Sequence, residues 1–260
     1  MTPYRTLVEA RGPNAFLTWE VEADEVQQVW ADRDAAVWLS PSAYHGKPWL
    51  TGLGSGERVL PLLLAALDAP TTASTAGISV PPEAVVALPS RWRPRRMERW
   101  TWWWTDEQPS FPPDPAVAPL GPDDPRLPGL LQQSASVYLQ PGDPRVHGWD
   151  GLVEAGRLLA CLAVERHHHA VPHLASVVVD DSARRNGAGT RLCGTVVGGL
   201  LDGGAPAVSL AMMSANAPAA ALYRRLGFQR GPSFASGTLP GRRNVPVEPG
   251  WPRRRGGGDQ

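Results

Sequence analysis

Hydrophobic residues fall into short blocks whose spacing changes along the chain. From Phe16 to Ser40 apolar and polar residues alternate loosely, which predicts short strands. "GERVLPLLLAALDA", residues 56–69, carries its apolar residues at helical spacing and predicts a helix. "AVVALP" (84–89) and "ERWTWWWTD" (98–106) predict further strands. Prolines crowd residues 107–129, and proline neither donates a backbone hydrogen bond nor allows helix just before it, so this stretch predicts a connection between domains. Downstream the elements alternate. Residues 127–139 suit a helix, and 148–156 with 157–168 a hairpin turning near Gly156. "VPHLASVVVD" (171–180) is a β-branched strand, followed by a helix over 187–201. "PAVSLAMMS" (206–214) predicts a strand, 218–228 a helix, and 228–239 a last extended region. Such a mixture implies an α/β or α+β fold. The organisation expected is an accessory domain at 1–108, a second domain at 109–240, and a mobile tail at 241–260 with little to bury.

Composition narrows the classes. The chain has 260 residues, enough for two domains, and its 42% apolar content can build a core. The formal net charge of zero gives no bulk attraction to nucleic acid or to an anionic membrane. Lys47 is the only lysine. Cys161 and Cys193 lie in apolar surroundings and are expected as buried free thiols rather than a disulfide. The N-terminus carries no long apolar stretch, and the aliphatic run 59–67 is too short to span a bilayer. A cytoplasmic protein is the expectation, with no nucleic-acid or membrane partner.

The candidate chemistry starts at "VVVDDSARRNGAGTRL", residues 177–192, where a valine strand runs into a helix through Gly187 and Gly189. The first amides of a helix lack internal partners and carry the positive end of its dipole. Glycine lets a phosphate approach them, and Arg184 and Arg185 add charge, so a pyrophosphate seat is one reading. A loop with glycines for turn geometry is the other, and this stretch alone leaves both open. Neither G-x-x-x-x-G-K-S/T nor G-x-G-x-x-G is present. What stands here, Arg184-x-x-Gly187-x-Gly189, resembles the acetyl-CoA loop of the GNAT N-acetyltransferase superfamily, Q/R-x-x-G-x-G/A. "NAPAAALYRRLGF" (216–228) fits that family's N-x-x-A-x-x-L-Y-x-x-L-G-F at each specified position, Ala219 included. One helix and one strand separate the two motifs, in the family's order. The likeness covers about residues 109–240. One departure is Arg185-Asn186, where many members have Gly-Arg or Gly-Lys.

The resemblance implies a mixed, mostly antiparallel sheet flanked by helices. It implies an N-acetyltransferase that uses acetyl-CoA as acyl donor to a primary amine, by direct attack in a ternary complex. Backbone groups of Val177, Val178 and Val179 would pair with pantetheine. Amides of Arg185, Asn186, Gly187, Ala188, Gly189 and Thr190 would hold the pyrophosphate. Asn216 would help position the cofactor, and Tyr223 would donate a proton to the departing sulfur. On structural grounds alone a tyrosine at position 223 is more often a core aromatic than a catalyst, and it is the motif context that favours catalysis. In histone-modifying members the base is a glutamate at the start of the strand leading into the loop. The matching position here is His173, able to take a proton near neutral pH, directly or through water, or else simply a histidine at a strand start with an ordinary hydrogen bond; Glu165 is the second candidate.

Other features carry less. "HHH" at 167–169 points alternately to opposite faces of a strand, so no metal site is expected. "RWRPRRMERW" (91–100) mixes arginine with tryptophan as single-strand binders do, but is expected as an exposed turn with guanidinium groups on indoles. "WTWWWT" (100–105) alternates poorly, which predicts cover on both faces, either between the two halves or around an apolar acceptor. Gly52, Gly54 and Gly56 precede the first long helix as a faint echo of the later loop, so the first half reads as a degenerate acetyltransferase-like fold without catalysis. Two rival functions stand beside the enzyme: a non-catalytic acyl-CoA-binding or regulatory protein on the same fold, and an interaction module built on the tryptophan-rich half. The acceptor, a small-molecule or a protein amine, and a homodimeric state are not legible.

Overall fold

The computed structural model describes residues 1–42, 46–166 and 171–241. His167–His169, and the expected tail after Gly241, lie outside the described residues. In the first half the chain forms α1 (Pro3–Arg11), α2 (Ala15–Glu20), β1 (Gln28–Asp32), β2 (Ala35–Pro41), β3 (Pro48–Leu53), α3 (Gly56–Asp68), β4 (Gly77–Val80), α4 (Pro82–Val86) and β5 (Glu98–Thr105). Next come β6 (Val117–Leu120), α5 (Leu127–Leu131), β7 (Val146–Glu154), β8 (Arg157–Arg166), β9 (Pro172–Val179), α6 (Ala188–Asp202), β10 (Val208–Met213), α7 (Ala217–Arg225) and β11 (Gln229–Thr238). Two compact units result. The described part of the first comes from Met1–Trp102, Met212–Ala215 and 230–241, and that of the second from Trp103–Ala211 and Asn216–Gln229. The fold is mixed α/β, with mostly antiparallel strands and flanking helices.

In the first unit the strands lie in the order β1-β2-β3-β4-β11, with only β3 and β4 parallel. The helix α3 buries Val59, Leu63 and Ala66 against Val37, Leu39 and Leu50. In the second unit the order is β6-β7-β8-β9-β10, and again only the last pair is parallel. Leu127, Leu130 and Leu131 of α5 cover Trp149, Cys161, Ala163 and Val178. Ala160, Leu162 and Val164, the alternate residues of β8, are buried as well, so both faces of that strand are covered.

The two units share a plan, antiparallel steps and then a helix leading to a parallel strand, with two such steps in the first unit and three in the second. They differ in that parallel pair. β3 and β4 stay in register over three positions, Trp49↔Gly77 to Thr51↔Ser79, and the Trp49 indole lies against Gly77, where a Cβ would meet it at 2.2 Å. β9 and β10 pair at two positions, after which β9 runs on for five residues. The glycines of the echo have local causes. Gly54 has φ +141, and a Cβ on Gly56 would stand 2.6 Å from Glu83 Cβ at the start of α4.

Local expectations fail in three places. Ala15–Glu20, expected as strand, is the helix α2: the Asn14 side chain accepts from Leu17 N at 3.1 Å and starts it, while Phe16 and Leu17 go into the core. The strand expected at 84–89 is the helix α4, because Pro81 and Pro82 open a helical turn more readily than Val85 and Val86 extend it. The helix expected over 127–139 ends at Leu131; Tyr138 and Leu139 instead give their amides to Ser176. The N-terminal helix α1 was unanticipated; Thr2 caps it, and Arg5 pairs with Glu9 at 3.0 Å one turn on. Trp102 and Trp103, neighbours in β5, are both buried, so that strand is covered on both faces. Arg91 lies over the Trp92 ring at 5.8 Å in the turn before it.

Candidate active site

The site grows from β9. Its valines favour extended backbone, and Val178 is buried. Within the strand Ser176 adopts φ +48, and the register against β8 slips between Cys161↔Val178 and Ala163↔Ala175. One residue of β8 thus faces two of β9, which is a β-bulge. The Ser176 hydroxyl holds it, accepting from the amides of Tyr138 (3.2 Å) and Leu139 (2.9 Å). A lone serine among apolar residues was its only trace in the sequence. On its other edge β9 loses β10 after Leu174↔Leu210. The backbone of Val177–Val179 therefore lies beyond the last pair with that neighbour.

Past Val179 the chain turns into α6. Asp180 accepts from Ser182 N at 2.9 Å and starts a short 3-10 turn. Arg185 has φ +63 and Gly187 φ +83, a left-handed conformation at the N-cap that costs glycine least. Among the described residues, the main-chain N–H groups of Arg185, Asn186, Gly187, Ala188, Gly189 and Thr190 form no hydrogen bond of ordinary geometry. Arg185, Asn186 and Gly187 are exposed. Six consecutive donors at the positive end of a 15-residue helix suit the oxygens of a diphosphate. The two arginines divide the work. Arg184 braces the loop, with Nε donating to Val179 O at 3.3 Å and a guanidinium nitrogen 2.7 Å from Asp181. Arg185 is exposed and has no ion-pair partner among the described residues.

α7 brings the second motif. Asn216 caps the helix, its Oδ1 accepting from Ala219 N at 3.2 Å, and Gly227 ends it with φ +85. Tyr223 is buried, with its ring 5.5 Å from that of Phe228. Among the described residues its hydroxyl has no hydrogen-bond partner. Burial pushes its pKa well above the ordinary tyrosine value, and the nearby Cys193 thiol adds to the rise. Tyr223 therefore keeps its proton across the neutral range.

The two candidate bases meet. Glu165 on β8 is the direct register partner of His173 on β9, and His173 in turn is paired with Ser209 on β10. Directly opposed residues share a face, so the three side chains form one row across three strands. Both candidates are buried, Glu165 at 2% and His173 at 1% exposure. Glu165 accepts from the Tyr138 hydroxyl at 2.9 Å, and its other oxygen is 3.9 Å from Arg145. Arg145 is held by Asp143 through two bonds of 2.8 and 3.0 Å, which lower the Asp143 pKa. His173 Nδ1 is 2.9 Å from Ser209 Oγ. Tyr138, Arg145 and Ser209 had no signature in the sequence, because only the strand register and the chain before β7 bring them here.

The comparisons with known proteins come to the same region. A family model described as the acetyltransferase (GNAT) family matches residues 82–228. A GNAT-family protein from Novosphingobium aromaticivorans is similar in structure, with a TM-score of 0.52 at 24% identity, over 78% of this chain and 86% of that one. A GCN5-related N-acetyltransferase from Sphaerobacter thermophilus gives a TM-score of 0.50 at 15% identity, over 91% and 92%. At these identities the likeness is one of fold. No curated protein matches the chain.

Proposed function

Because the chain belongs to the acetyltransferase (GNAT) family, we propose that it is an N-acetyltransferase moving the acetyl group of acetyl-CoA onto a primary amine by direct attack in a ternary complex. The observation that carries this reading is the run of unbonded N–H groups from Arg185 to Thr190 at the head of α6. These donors and the exposed Arg185 hold the diphosphate. The edge of β9 at Val177–Val179, past its last pair with β10, accepts the pantetheine amides as a further strand would. Asn216 spends its oxygen on the helix cap, which leaves its side-chain N–H groups to orient the cofactor.

Acetyl-CoA supplies a thioester with a thiolate leaving group. The acceptor amine attacks only when neutral, so a base must take its proton. His173 does so, and Glu165 beside it, already shared by Tyr138 and Arg145, stabilises the resulting imidazolium. Tyr223 is the acid. Its pKa lies above that of a free thiol, about 8.5, so its hydroxyl gives up its proton only in step with cleavage of the C–S bond. Among the described residues no helix is long and apolar enough to cross a membrane.

Calorimetry and thermal denaturation with acetyl-CoA, followed by detection of free CoA over a panel of amines, test the proposal. Acetyl-CoA at a hundred times Kd should stabilise the fold by about 2.7 kcal/mol, and Arg185→Glu should weaken that hold. No stabilisation would remove the reading. Stabilisation without CoA release from any amine would favour a non-catalytic acyl-CoA-binding protein instead.

A further inference from the structure

Ser209 is the polar exception in its strand. Its neighbours are Val208, Leu210 and Ala211, and it is 1% exposed. A hydroxyl in such a place costs stability unless it is bonded, and its partner is Nδ1 of an equally buried histidine at 2.9 Å. The charged and titratable groups around that histidine come from several segments. Glu165 faces it from β8. Tyr138, after α5, bonds Glu165, and Arg145 with its Asp143, before β7, lies beyond that carboxylate.

We propose that Ser209 is a positioning residue for the base: it accepts the Nδ1 proton of His173 and so leaves the lone pair on Nε2. The inference rests on the reading of His173 as the base. Its direction follows from proton bookkeeping. A neutral imidazole has one donor and one acceptor nitrogen, whereas an imidazolium has two donors. If Ser209 donated to Nδ1, the basic atom would be spent on the serine, and that bond would break when the ring gained a proton. If Ser209 accepts, the same bond serves both states. The amine proton then passes to Nε2, the ring becomes imidazolium without turning, and the proton leaves later to solvent. Glu165, opposite in register, offsets the positive charge while it lasts. A strand-borne hydroxyl thus does the orienting that a carboxylate does in other histidine bases.

Nitrogen NMR of the imidazoles in the full chain reads the tautomer without any acceptor, with the His173 signal assigned by its loss in His173→Gln. The wild-type protein should show the proton on Nδ1 and none on Nε2. In Ser209→Ala the ratio of the two tautomers should move about fivefold toward Nε2–H, the worth of one ordinary hydrogen bond, and Ser209→Thr should restore it. A wild-type signal with the proton on Nε2, or a ratio unmoved in Ser209→Ala, overturns the proposal. With an amine that supports CoA release, Ser209→Ala should lower kcat about fivefold and leave acetyl-CoA affinity unchanged; an unchanged kcat also overturns it. Failure of acetyl-CoA to bind the wild-type protein would instead sink the acetyltransferase reading, and the tautomer measurement would stand apart from that result.

Discussion

The Leu222 side chain closes over Gly189: a Cβ on residue 189 would stand 3.3 Å from Leu222 Cδ2 and 3.4 Å from Val179 Cγ2. The two glycines of the loop therefore answer different needs. Gly189 lets α6 lie close to α7 and to the end of β9. Gly187 has open space where its Cβ would be and is required by its φ of +83. The first motif and the second are thus joined by packing, Gly189 from one against Leu222 from the other.

Substitutions should separate these needs. Gly187→Ala forces a side chain into the left-handed region and should cost about 1 kcal/mol, or roughly 2–4 °C in Tm for a chain of this size. Gly189→Ala gains helix propensity, roughly 0.5–1 kcal/mol, against a contact that Leu222, only partly buried, can relieve. Its Tm should change little. Gly189→Val, with two more carbons in the same space, should lower Tm clearly. Thermal denaturation of the three variants checks this, and an equal loss in Gly187→Ala and Gly189→Ala would refute the division of roles.

Tyr223→Phe removes one oxygen from a buried ring and leaves its contact with Phe228. If the hydroxyl serves the leaving thiolate, turnover should fall by about 10²-fold or more, the usual worth of a positioned acid, with acetyl-CoA affinity nearly unchanged. Steady-state kinetics beside calorimetry separates the two. Full turnover in the variant would make Tyr223 a core aromatic.

Much of the second unit was legible because its motifs are local. The cap at Asn216, the glycine end of α7 at Gly227, and the strand–loop–helix run from Val177 to Leu192 each depend on residues a few positions apart. The count back from Arg184 that made His173 a candidate base likewise ran within one strand and the loop after it. What stayed hidden depends on register. Nothing near Ser209 says that it will meet His173, and nothing near Tyr138 says that it will reach Glu165. In the first unit, hydrophobic pattern misled where proline and capping decided the outcome, at Pro81–Pro82 and at Asn14.

The buried thiols should be visible at high pH. Cys161 and Cys193 are both free and wholly buried, and burial pushes each thiol up to about 12. A folded pKa raised above the unfolded one stabilises the fold below the unfolded value, and that stability is lost as pH climbs toward the folded value. Each thiol should therefore cost about 1.4 kcal/mol per pH unit over the window from about 9 to about 12. Denaturant unfolding from pH 8 upward should show a shallower decline in Cys193→Ala than in the wild type. Rapid labelling of either thiol by a disulfide reagent in the native protein at pH 8 would contradict the burial behind this.

The acid side should report a different contact. Arg191, in the first turn of α6, reaches Asp114 through Nε and Glu154 through a guanidinium nitrogen at 2.7 Å. Asp114 also accepts from Ala116 N at 2.9 Å, and its own amide donates to Thr195 at 2.8 Å. The proline-rich connection is thereby tied to the helix that bears the loop. The bond from Arg191 is the main reason the Asp114 pKa lies below its ordinary value, and the amide of Ala116 adds to it. A depressed folded pKa stabilises the protein above the unfolded value, near 3.8, and that stability is lost as pH falls through the folded one. Since Arg191 is about a third exposed, solvent screening limits its worth to about 1 kcal/mol. Arg191→Ala should thus lower stability by about that amount at pH 7 and by less at pH 2, below the unfolded value. If the two losses are equal, the side chain contributes through its packing and not through its charge.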